Sequence, residues 1–129
     1  QWLRGMHALL RPNGTLWIQA PNIDSRGHHE FGADWHSLDA PRHLAIPTVA
    51  GLRSCLEALG FTVRVEKLTP ILALSVYVAS DTLRQGGDAT APQNWKKLLR
   101  PRYALAAIRQ TWQPTQAEFI TLIATKAPP

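Results

Sequence analysis

The chain has 129 residues, 45% hydrophobic and 18% charged, which is enough for one modest core and too apolar for a disordered segment. Lys and Arg outnumber Asp and Glu 14 to 9, a formal net charge of +5, which is compatible with a nucleic-acid or anionic-membrane partner but in so mild a degree usually only aids solubility. The single cysteine, Cys55, excludes an intrachain disulfide, and the longest apolar run, residues 71–79, is far shorter than the ~20 residues of a membrane-spanning helix. A cytoplasmic, reducing environment is the expectation.

Residues 1–10 read as helix in progress, with Trp2, Leu3, Met6, Leu9 and Leu10 at helical spacing and no capping residue ahead of them. The chain is therefore expected to be part of something longer. Pro12-Asn13-Gly14 should end that helix, because Pro12 cannot continue it and Asn13-Gly14 tolerate positive φ. The next run, residues 15–20, is short and largely apolar on both sides, the pattern of a buried strand in a sheet covered on both faces. Residues 22–47 show no sustained periodicity and read as a long loop, of the kind that is usually functional.

Thr48 is a natural N-cap for a helix over 48–60, with Val49, Leu52, Leu56 and Leu59 in one stripe, Cys55 beside it, and Gly60 just past the end. Residues 61–68 alternate as a strand with one wetter face, near a sheet edge. Residues 70–114 read as a helical insertion. A first helix over 71–84 is broken by Gly86-Gly87-Asp88, and a basic second one over 95–110 is interrupted at Pro101. Residues 118–126 form the most apolar strand, which belongs between the other two. The fold class is α/β, with strand–helix–strand forming a parallel crossover unit.

Several stretches in combination resemble the end of the class I S-adenosylmethionine-dependent methyltransferase domain, in the methyltransferase-11/12/23-like group. Leu9-Leu10-Arg11-Pro12-Asn13-Gly14-Thr15-Leu16 is similar to that family's turn into strand 5, and Gln19-Ala20-Pro21-Asn22 to the strand end that opens onto the substrate. Trp35-His36-Ser37-Leu38-Asp39-Ala40-Pro41-Arg42-His43-Leu44 resembles the stretch from tryptophan to Pro-Arg-His-Leu of many bacterial members, which a threonine-capped helix ending in Gly-Phe follows. Residues 119–126 resemble the terminal strand. Departures are Asn13 for the usual first glycine of the turn, Pro47 where an aromatic is common, and Thr125 for arginine.

The resemblance implies a Rossmann-like sheet of which residues 1–129 hold only the carboxyl-terminal half, as one partial domain with strands 5, 6 and an antiparallel 7. It implies an S-adenosylmethionine-dependent transferase as the parent, with a cofactor site in a missing amino-terminal half. This chain alone is expected to bind no cofactor and to be inactive. Gly86-Gly87-Asp88 follows a helix rather than a buried strand and is no substitute for the cofactor's glycine turn. The expected acceptor is a small molecule, or one linked to a lipid or a saccharide.

On that resemblance residues 22–43 lie over the carboxyl end of strand 5, where open α/β sheets bind ligands. His43 is the candidate catalytic base, since a histidine near neutral pKa can relieve an acceptor of its proton. Arg42 is the candidate holder of a carboxylate or phosphate on the substrate. Trp35, Asn22 and Asp39 complete the substrate-binding set. Plainer roles stand beside these: Arg42 and His43 as ties to backbone carbonyls, Trp35 as a lid over the core. His28, His29, Glu30, Asp34, His36 and Asp39 are zinc-ligand types, but their spacing matches no established ligand pattern, so no metal site is expected.

A different class of function is a non-catalytic interaction module. The basic run Trp95-Lys96-Lys97-Leu98-Leu99-Arg100-Pro101-Arg102 would then meet an anionic membrane surface, a nucleic acid or a protein. An ordinary amphipathic insertion covering the sheet accounts for the same residues. Finally, the apolar strand 15–20 would leave an open edge in the absence of strand 4, and a homo-oligomer joined there is expected.

Overall fold

A computed structural model describes residues 2–39, 41–67, 70–90 and 100–128. Helix α1 (Trp2–Leu9) ends as the turn chemistry requires: Asn13 takes φ 62°, and the Gly14 amide donates to the Arg11 carbonyl at 2.8 Å. The carbonyls left free at the end of a helix attract a cation. Here Lys126, from the far end of the chain, supplies it, its Nζ donating to the His7 and Leu10 carbonyls at 2.8 and 2.9 Å.

Strand β1 (Thr15–Pro21) pairs antiparallel with the last strand, β3 (Phe119–Lys126), from Thr15 opposite Thr125 to Pro21 opposite Phe119. Strand β2 (Phe61–Val65) pairs with the other side of β3, from Phe61 opposite Lys126 to Val65 opposite Leu122. The order is β1–β3–β2, so β1 and β2 run in the same direction with β3 reversed between them. The protein is thus a mixed α/β structure on a three-stranded sheet. The most apolar strand occupies the centre, as its composition demands, because it alone is flanked on both sides.

Alternation along the strands sends Ile18, Phe61, Val63, Ile120, Leu122 and Ala124 to one face. There they meet Val49 and Leu56 of helix α3 (Val49–Glu57), with Leu3, Leu10, Leu52 and Leu59 packed around them. The expected cap is in place, Thr48 Oγ1 accepting from the Gly51 amide at 2.9 Å, and Gly60 takes φ 86° at the exit.

Strand β1 differs from its expectation of two covered faces. Thr15, Trp17 and Gln19 are exposed, Trp17 to 58%. Apolarity on both sides of a strand states what could be buried, and among the described residues no element lies over Trp17 and no second strand pairs with β1.

Residues 22–47 also depart from a plain loop. They contain helix α2 (Arg26–Phe31) and two 3-10 turns, Gly32–Asp34 and His36–Leu38. Six residues are too few for a helical period to register, so α2 rests on its ends. Ser25 Oγ accepts from the His28 amide at 3.0 Å, and Gly32 turns the chain out at φ 57°.

Within the 70–114 region, helix α4 (Pro70–Arg84) and helix α5 (Pro101–Trp112) pack together, while residues 91–99, most of the expected basic run, lie outside the described residues. Helix α5 starts with Pro101 in its first turn, where the missing amide hydrogen costs nothing, so this proline opens the helix instead of interrupting it. The two helices and α2 enclose a second core of Phe31, Trp35, Val76, Tyr77, Tyr103 and Ala106. Phe31 and Tyr77 meet edge to face at 5.3 Å.

Asp81 ties α4 to α5, accepting from Arg102 at 2.6 Å and from Gln85 at 2.8 Å, with Arg100 at 3.9 Å. Burial works against the Asp81 anion, but hydrogen bonds from Tyr103 and Arg102 and the charges of Arg102 and Arg100 hold its carboxyl below its ordinary value. A depressed folded pKa gives stability that is present above the unfolded value and lost as pH falls through the folded one. Asp81→Asn is therefore expected to cost about 1–2 kcal/mol at neutral pH. Urea melts of the two proteins should converge as pH drops below the ordinary carboxylate range; a constant difference would show that the charge contributes nothing.

Candidate functional site

The carboxyl end of β1 and the start of β3 border a cavity of about 240 Å³, which Pro21, His36, Asp39, His43, Ser75 and Phe119 help to line. A larger groove of about 440 Å³ lies between α1 and α3, against Trp2, Leu3, Arg4, Cys55, Ala58 and Leu59. It brings together no histidine and no carboxylate; two further cavities of about 370 and 430 Å³ do, with His29 and Glu30 in one and His36, Asp39 and Asp88 in the other, so it is the position at the carboxyl end of β1 that selects the first.

His43 is half-buried at this cavity, and its Nδ1 lies 3.2 Å from the Ser37 carbonyl. A carbonyl only accepts, so Nδ1 carries a hydrogen, and in the neutral ring Nε2 is then the nitrogen with the lone pair. That is the tautomer a proton acceptor needs, and the same contact is also the backbone tie that a structural histidine would make. Asp39 is held at φ 38°, ψ 48°, a left-handed conformation that few residue types accept, and its carboxylate pairs with Arg42 at 2.9 Å. The Arg42 side chain is 79% exposed, and it is not among the residues that line the cavity. His36 reaches the cavity from the turn between Asp39 and Trp35, its amide donating to Ser80 Oγ of α4 at 2.9 Å.

The other two sequence-derived candidates sit elsewhere. Asn22 is fully buried, its side-chain amide donating to the carbonyls of Thr115 and Ala117 at 2.9 Å each and its Oδ1 accepting from the Asp24 amide. It fastens the end of β1 to the segment before β3. Trp35 is 1% exposed, in the second core, and its Nε1 donates to Glu118 Oε2 at 2.6 Å. Trp35 also borders the separate cavity of about 430 Å³, together with His36 and Asp39.

Glu118 is the residue that sequence reading left unremarked, as the first position of an apolar strand. It is 1% exposed, accepts from Trp35 Nε1 through one oxygen and from the Gly27 amide through the other at 2.8 Å. Burial pushes its carboxyl above the ordinary range; donors from Trp35, Gly27 and Ser25 pull the other way, and Glu30 adds to the rise. The close approach explains Gly27, since a Cβ there would stand 2.3 Å from the Glu118 carboxylate. A lone acidic residue ahead of a hydrophobic strand, with a small residue in the preceding polar segment, is the only trace of this contact in the sequence.

The zinc-ligand types do not converge. His28 Nδ1 lies 2.7 Å from the Ile23 carbonyl, Asp34 faces Arg84 at 3.7 Å, and Asp39 is paired with Arg42. Among the described residues no group of three or more His, Cys, Asp or Glu is placed to hold a metal ion. Gly86 and Gly87 close α4: their amides donate to the carbonyls of Leu83 and Thr82, and Gly86 takes φ 71°. A glycine pair spent on ending a helix does not fit a nucleotide-type cofactor. No described helix is long and apolar enough to cross a membrane.

Comparison of the chain with protein-family models, with curated proteins and with solved structures finds no match in any of the three.

Proposed function

We propose that these residues form the substrate-side end of a class I S-adenosylmethionine-dependent methyltransferase domain, and that the 240 Å³ cavity receives the methyl acceptor. The observation that carries this reading is the strand order: two strands running one way with the final strand reversed between them. The motifs around Pro12-Asn13-Gly14 and Pro41-Arg42-His43-Leu44 add to it. The cavity supports it by position, at the carboxyl end of β1, where α/β sheets present their ligands.

In this reading the chain's own part is to orient the acceptor and take its proton. His43 Nε2 is the proton acceptor, with Nδ1 fixed by the Ser37 carbonyl. Arg42, exposed and steadied by Asp39, is the cation for a carboxylate or phosphate carried by a small, lipid-linked or saccharide-linked acceptor. In this reading the glycine turn and the acidic residue that hold the cofactor belong to the upstream half of the parent domain.

The test is calorimetric titration of S-adenosylmethionine into the product of the complete reading frame. Micromolar affinity is expected there and none for residues 1–129; a full-length product with no affinity overturns the reading. With an acceptor that turns over, His43→Gln is expected to lower kcat by about 100-fold, with little change in acceptor KM. A variant that keeps its rate would leave His43 as a structural tie.

The same reading places a further strand outside β1. In its absence the edge of β1, with Trp17 58% exposed beside it, is expected to pair with a second copy of the chain. Light scattering should show dimers or larger assemblies of residues 1–129; a monomer at high concentration would exclude that pairing.

A further inference from the structure

We propose that Glu118 is the positioning residue of the cavity: its two carboxylate oxygens seat Gly27 and Trp35, and through Trp35 they set where His36, Asp39 and His43 stand. The contacts form a continuous series. The backbone of Glu118 is itself fixed, its carbonyl accepting from the Asn22 amide at 3.0 Å and its amide donating to Gln110 Oε1 at 3.1 Å. Its side chain then holds the Gly27 amide at 2.8 Å and Trp35 Nε1 at 2.6 Å. Trp35 is the residue from which the His36–Leu38 turn starts, and the Leu38 amide donates back to the Trp35 carbonyl at 3.0 Å. That turn presents the Ser37 carbonyl to which His43 Nδ1 is bound at 3.2 Å. Glu118, Trp35, Ser37 and His43 are thus linked over 83 positions of sequence by three hydrogen bonds and one turn.

The arrangement asks for a carboxylate and not merely for its bulk. Two N–H donors from different elements arrive at two different oxygens, and an ionised carboxyl is a strong acceptor at both ends with no hydrogen of its own to oppose them. An amide in the same shape would set an NH2 group against one of the donors. Protonation has a related effect, because one oxygen becomes a hydroxyl. The approach is close enough that a Cβ at residue 27 would lie 2.3 Å from the carboxylate, so only glycine seats its amide there without a shift.

Charged and titratable groups surround Glu118 from three elements. Glu30 of α2 raises its carboxyl and the Tyr77 phenol of α4 is held neutral by burial, while Arg26 of α2 and Arg109 of α5 act on the same region through Tyr77. His28 of α2 lies against Trp35, ring centroids 5.3 Å apart. With a folded pKa above its unfolded one, Glu118 contributes most to stability below the ordinary carboxylate range and less as pH rises through the folded value. Acid therefore weakens the hold on Trp35 and Gly27 without this group unfolding the protein.

The test is nuclear magnetic resonance of the 129-residue chain in a His28→Gln, His36→Gln, His43→Gln background, which removes the imidazoles that flank the reporting groups; Trp35→Phe assigns the indole signal. On acidification the Trp35 indole N–H, the amide of residue 36 and the Ser37 carbonyl are expected to shift together, with one midpoint above the ordinary carboxylate range. Glu118→Gln should abolish that shared titration and leave the three signals near their acidic positions at every pH. If Glu118→Gln does not fold, Gly27→Ala, which crowds the carboxylate with its charge intact, should displace the same three signals. An indole signal with no titration, or a titration that persists in Glu118→Gln, overturns the proposal. That the positioned cavity serves a methyl acceptor rests on the function proposed above. Failure of the full-length product to bind S-adenosylmethionine would remove that reading and leave the resonance result untouched.

Discussion

Strand β3 carries bonds in four directions, and the rest of the molecule is arranged around that fact. Its backbone is paired along both edges, to β1 and to β2, and Ile120, Leu122 and Ala124 on one of its faces are completely buried. Its two ends are charged, and each charge is spent on a neighbour's unsatisfied backbone or side chain. At the carboxyl end Lys126 closes the open carbonyls of α1. At the amino end the buried Glu118 gathers the Gly27 amide and the Trp35 indole. A strand seven or eight residues long spans roughly 25 Å, so one short segment anchors the first helix and the cavity loop at opposite ends of the sheet.

The cost of that design is concentrated at Glu118. A carboxylate removed from water is unfavourable unless its lone pairs are filled, and removing one partner from such a contact is more damaging than never having built it. Around Glu118 the compensation is local and dense, from a glycine amide, an indole and a serine hydroxyl. Lys126, by contrast, binds neutral carbonyls at a helix end from a half-buried position. The first contact gives one arrangement of the loop and no near alternative; the second steadies an element that packs with only part of one face.

The two faces of the sheet differ in the same spirit. One is filled by α3 and α1 and has a closed apolar core. The other carries Trp17, Gln19 and Arg64, exposed or charged, next to the half-buried Ile123. The second core lies beyond the ends of the strands, among α2, α4 and α5, with Phe119 as its link to the sheet. The cavity sits where these two bodies of packing meet, so its walls come from both: Pro21 and Phe119 from the strands, His36 and Asp39 from the turns, Ser75 and Val76 from α4.

Where periodicity or turn chemistry is strong, the sequence by itself determined the element: the stop at Pro12-Asn13-Gly14, the Thr48 cap and its stripe of leucines, the alternation of 61–65, and the central place of the most apolar strand. These are local rules, in which a residue's neighbours along the chain are the neighbours that matter. His43 and Asp39 came forward through the family resemblance, and it is the fold that brings both to one cavity. What lay beyond the local rules depended on partners far away in sequence. Helix α2 is too short to show a period. Whether Trp17 is covered depends on which elements fold over it, and among the described residues none does. Trp35 reads equally as a pocket wall or a core residue until Glu118, 83 positions later, takes its indole hydrogen. Only the tertiary structure decided that, because a buried carboxylate is specified by the donors that surround it, and those are gathered by folding and not by spacing.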